Sequence, residues 1–133
     1  MVTVVVVLGA LAVFGASLVV VATTQQAGAA LDFQGVRAYH AARGGLEWGL
    51  YQVLRNGQPC AAISAQTVTY GGNLTGFSAT LSCVSSVHEE GSSPVTLFTL
   101  TATGCNQATC PTAAAPPPAD YVERQLRATV GSN

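Results

Sequence analysis

The sequence predicts an α+β protein in which a long N-terminal helix packs on a small antiparallel β-sheet. Three observations carry this. Residues 1–31 hold no charged side chain and no proline, a second helical stretch follows as far as Leu54, and beyond Pro59 the hydrophobic period falls from near 3.6 to 2. All four cysteines lie in that last part.

The first element is the most one-sided. Val2 to Ala22 is dominated by Val, Leu and Ala, broken only by residues such as Thr3, Gly9, Gly15 and Ser17. A bilayer core about 30 Å thick needs about 20 apolar residues in a helix, so residues 1–24 are expected to form a transmembrane helix in contact with the lipid bilayer. The competing reading is a secretory signal, for which Ala27-Gly28-Ala29 offers a small-x-small cleavage site. The run is longer than a usual signal core and no basic residue precedes it, so retention is the favoured expectation.

The polar seam Thr23-Thr24-Gln25-Gln26 contains nothing that ends a helix, and residues 25–56 are expected to continue it amphipathically. Val36, Tyr39, Leu46, Leu50 and Leu54 fall in one broad stripe and are expected to form the floor on which the sheet packs. Trp48 lies away from the stripe's centre and is a candidate contact to a partner. Arg43 and Glu47 are four apart and can pair across a turn. Gly28, Gly35, Gly44, Gly45 and Gly49 weaken the helix by up to about 1 kcal/mol each, a cost that close packing would have to offset. Arg55-Asn56-Gly57, followed by Pro59, marks the stop.

Residues 57–133 read as a cysteine-stapled head. Thr67 to Tyr70 alternates, and Gly71-Gly72-Asn73 signals a turn. Phe77, Ala79, Leu81 and Cys83 alternate with Ser78, Thr80 and Ser82, placing a cysteine on the inner face of a strand. His88 to Pro94 is expected to be a polar hairpin loop, and Pro94 to Thr103 a strand. Cys105 to Pro118 is expected to be a loop, and Tyr121 to Val130 a last strand. Four cysteines allow three pairings. The economical one is Cys60–Cys83 with Cys105–Cys110, and a structural zinc is the alternative, although only one pair has the right spacing.

Charge excludes further classes. The chain has 133 residues, of which 8% are charged, against roughly 25% in ordinary globular proteins. Five basic residues against six acidic ones give a net charge of −1, so no nucleic acid is expected as a partner. His40 is expected at a packed interface and His88, beside Glu89-Glu90, in a solvated loop. The sequence lacks a phosphate-binding glycine loop, a nucleophile elbow and a paired-histidine protease motif. No catalytic residue, metal ligand, cofactor or small-molecule substrate is therefore expected.

Several stretches resemble a known family. TTQQ at Thr23 to Gln26, LDFQGVRAYHAARGGLEWG at Leu31 to Gly49, Pro59-Cys60, LTATGCN at Leu100 to Asn106 and YVERQL at Tyr121 to Leu126 are similar to the MshP family of MSHA pilus biogenesis proteins, minor-pilin-like and related to the PilX type. The resemblance implies a type IV pilin-like fold, with the helix half in the bacterial inner membrane and the C-terminal domain in the periplasm. It implies a minor-pilin-like component or assembly factor of an MSHA-type (type IV) pilus. Partners would then be other major and minor pilins and the inner-membrane pilus assembly platform. It also implies a processed leader, and no prepilin cleavage site is visible before Val2. The alternative function is a small secreted disulfide-stabilised binding domain, released by signal-peptide cleavage.

Overall fold

In a computed structural model of the chain, residues 2–91 and 93–132 are described, apart from the side chains at positions 17, 18, 20–24 and 27. Helix α1 is Val2–Leu54 and the short helix α2 is Cys60–Ile63. Strands β1 (Thr67–Thr69), β2 (Ser78–Glu90), β3 (Ser93–Cys105) and β4 (Glu123–Ser132) form one antiparallel sheet in the order β1-β2-β3-β4, with a 3-10 turn at Gly72–Leu74. The described residues divide into two compact units between Phe33 and Gln34.

The first unit is helical, and every described side chain in it is exposed. Here the transmembrane expectation fails. Among the described residues no helix is long and apolar enough to cross a membrane. Thr3, Gly9 and Gly15 interrupt the apolar side chains described. Gln25 and Gln26 add polar amides farther along. The membrane pilin reading falls with it, because a single-pass inner-membrane location and a pilus subunit's anchored helix both need a spanning segment. The α+β class stands as an open four-stranded sheet with helices.

The second unit has a core built from β2, β3 and the helix. The register pairs Cys83 with Leu100, Leu81 with Ala102 and Ala79 with Gly104, which sets these residues in adjacent rows on one face of the sheet. Leu81, Leu100, Ala102, Ile63 and Val53 are fully or almost fully buried there. The segment expected to be a loop from His88 to Pro94 is mostly strand: pairing continues to Glu90 opposite Ser93. Gly91, at a φ of +66°, takes the left-handed conformation that a two-residue hairpin connection requires. Backbone pairing satisfies these polar residues without demanding apolar side chains, so alternation carries no sign of the strand's length.

The disulfides tie this unit together. Cys60 is bonded to Cys83 and Cys105 to Cys110, with sequence separations of 23 and 5. The first joins α2 to the core face of β2. The second lies at the end of β3, where the loop after Cys105 folds over the sheet's other face. Ser78 donates from Oγ to the carbonyl of Gln107 at 2.6 Å, and the amide of Cys110 donates to Thr80 Oγ1 at 3.2 Å. Ser78 and Cys110 are buried as a result.

Candidate functional site: the outward face of the helix

The helix docks through its smallest side chains. Gly35, Ala38, Ala41, Ala42, Gly45, Gly49 and Val53 are buried. With about 100° per residue they form one stripe. A Cβ at Gly49 would meet Leu81 Cδ2 at 2.5 Å and Leu100 Cδ2 at 2.8 Å. A Cβ at Gly104 on the sheet would run into the backbone of Ala38 and Ala42. Only glycine at these positions lets helix and strand approach so closely.

This corrects the expected floor. Val36 is 54% exposed, Tyr39 41% and Leu54 47%, while Leu46 and Leu50 are half-buried at the edge of the core. Val36, Tyr39 and Leu54 are turned away from the sheet because the small residues make the contact on the other side, while Leu46 and Leu50 reach the margin of the core. Leu50→Ala should therefore cost about 1 kcal/mol, well below the roughly 2–5 kcal/mol expected for Leu100→Ala, which empties a fully buried site. Urea denaturation of the two variants measures the difference.

The face turned outward carries Val36, Tyr39, His40, Arg43, Glu47, Tyr51 and Leu54, all exposed. Trp48 stands on its flank at 36% exposure. At the middle, Arg43 Nε donates to Glu47 Oε1 at 2.8 Å. The hydrogen bond and the charge of that carboxylate raise the Arg43 guanidinium above its ordinary value. The His40 ring meets Tyr39 edge-on at 5.6 Å. Its expected packed position is thus replaced by an exposed one, since it shares the turn with Val36 and Arg43.

The remaining polar residues hold the unit's structure. Tyr70 donates from its hydroxyl to the carbonyl of Ala41 at 2.7 Å, pinning the end of β1 against the helix. Burial raises its phenol above the ordinary value. An acid whose folded-state pKa is raised keeps its full stabilising contribution below the unfolded value, about 10, and loses it as pH climbs through the folded value. Tyr70→Phe should flatten that alkaline loss while costing about 1 kcal/mol at neutral pH, read by urea midpoints across roughly pH 8 to 11. Asn106 donates to the Asp120 carbonyl at 2.7 Å and accepts from the Val122 amide at 3.1 Å, closing the last loop. Tyr121 donates to Glu123, and burial is the first cause of its raised phenol.

His88 pairs its Nε2 with Ser86 Oγ at 3.0 Å near the tip of the β2–β3 hairpin, far along the chain from His40 and on a different element. The sequence singles out Trp48 on this helix. It does not single out the outward stripe, whose signal is an apolar and aromatic set split about a charged pair.

No family model, curated protein or solved structure matches the chain. The resemblance seen in the sequence therefore rests on its own residues, and the outward helix face is judged on its geometry.

Proposed function

We propose that the chain is a small disulfide-stabilised binding domain that works in an oxidising compartment and presents the outward face of the helix at residues 36–54 to a partner. The observation that carries this is the exposed set Val36, Tyr39, Trp48, Tyr51 and Leu54 on an element held rigidly from behind. Aromatic and apolar side chains left on a fixed scaffold are the ordinary material of protein interfaces. Both disulfides lie in the same unit, as suits a small secreted domain. In this reading the uncharged segment before Ala30 serves export and is removed after Ala27-Gly28-Ala29, close to where the two units divide.

A photo-cross-linking residue at Tyr51, with a control at Ser85 on β2, tests the reading in the native source. A discrete adduct from Tyr51 and none from Ser85 is expected. Absence of any adduct at Tyr51, or free thiols on alkylation of the isolated protein, would overturn it.

A further inference from the structure

The outward face is pseudo-symmetric about the level of residue 45, with Leu50 at its half-buried margin. Reflected about residue 45, Val36 meets Leu54, Tyr39 meets Tyr51, His40 meets Leu50 and Arg43 meets Glu47. Residues 36, 40, 43, 47, 50 and 54 follow each other at alternating spacings of four and three, the seam of a coiled coil. We propose that the partner of this face is a second copy of the chain, docked antiparallel about a two-fold axis through residue 45. This rests on the binding-domain reading and names its occupant.

The charges select this arrangement. An isologous contact brings the same patch from both copies together, so each residue must suit its mirror position. In the antiparallel pair, Arg43 of each copy faces Glu47 of the other, and the existing Arg43–Glu47 bond becomes part of a four-charge ring. A parallel, in-register pair would oppose Arg43 to Arg43 and Glu47 to Glu47, which is repulsive. The polar centre thus fixes orientation and register, as single polar residues do in coiled-coil seams. Val36 against Leu54 then buries apolar surface at each end of it, with Tyr39 and Tyr51 on opposite flanks of the seam. The seam is about 27 Å long, from eighteen steps of 1.5 Å. It lies opposite the small-residue stripe that holds the sheet, so pairing leaves the fold of each copy unchanged. A single helix face is smaller than the roughly 800 Å² per partner of a standard stable interface, so a reversible, concentration-dependent dimer is expected.

Charge exchange provides the test. In Arg43→Glu all four central groups of a homodimer are acidic, and in Glu47→Arg all four are basic. Mixed one to one, the two variants set position 43 of each copy against position 47 of the other, an acid facing a base in both contacts. The contact within each helix stays repulsive. Sedimentation equilibrium of the protein as it accumulates in the oxidising compartment should show a dimer. Each variant alone should dissociate at least about tenfold more readily, and the mixture should recover the dimer. A monomeric wild type, variants that associate like wild type, or a mixture that stays dissociated would each overturn the proposal. Circular dichroism checks the fold. If either variant unfolds, Val36→Arg mixed with Leu54→Glu asks the same question at the ends of the seam. A Tyr51 cross-link to a different protein would defeat self-pairing and leave the binding-domain reading intact, whereas no cross-link would defeat both.

Discussion

Gly104→Val should strongly destabilise the fold of residues 34–133. The first side-chain carbon added at position 104 meets the Ala38 carbonyl and the Ala42 amide, which are backbone atoms of the helix and have no rotamer to change. Overpacking a core usually costs about 1–3 kcal/mol because neighbouring side chains can shift. Here the helix axis itself must move away from β3, and the contacts of Ala38, Ala41 and Ala42 go with it. A loss at or above the top of that range is expected, a large part of a small domain's total stability. Thermal melting followed by circular dichroism would show it. A Gly104→Val protein that melts within a few degrees of wild type would mean that helix and sheet are not in such close contact. Gly49→Ala provides a graded comparison. The atoms it meets are the ends of two leucine side chains, and alanine returns up to about 1 kcal/mol of helix propensity, so its net cost should be much smaller.

The second large effect is expected from removing the disulfide between Cys60 and Cys83. Its closed loop spans a separation of 23 residues, against 5 for Cys105–Cys110. On the chain-entropy account the longer loop contributes about 3 kcal/mol and the shorter one about 2. Cys60→Ala with Cys83→Ala should therefore lower the urea midpoint more than Cys105→Ala with Cys110→Ala. The margin is narrower than loop length alone suggests, because Cys105 and Cys110 are both buried and the loop they hold covers Ser78. Equal midpoints for the two double variants would show that packing of the shorter loop, not chain entropy, sets the order.

The sheet is legible in the sequence where burial alternates. Ala79, Leu81 and Cys83 point to the core and the residues between them do not, so the pattern and the structure follow from the same geometry. The strand beyond Cys83 is not legible. From Val84 to Glu90 every residue is exposed, and backbone hydrogen bonds to β3 hold the extension without help from hydrophobicity. The helix misleads for a different reason. Large apolar residues display the period most visibly, and Val36, Tyr39, Leu46, Leu50 and Leu54 supply one. The face that docks is made of glycine and alanine, whose hydropathy is weak and whose contribution is closeness of approach. The clue is the excess of glycine itself, which signals close packing without naming the face. The apolar run at the N-terminus is conspicuous by residue type. Among the described residues no helix is both long and apolar enough to cross a membrane, a joint condition that residue type alone does not express.

The glycine-rich docking stripe also bears on how the chain is made. Gly35, Gly44, Gly45 and Gly49 leave this stretch of helix with little stability of its own, and its partners are residues 79–104, which are synthesised later. A ribosome adding about 5–20 residues per second exposes the helical half seconds before its sheet exists. During that interval the segment is a poor helix with apolar and aromatic side chains and nothing to lie against. Order at the start of the unit must wait for its end, so the helix gains the packing that fixes it only once β3 has emerged.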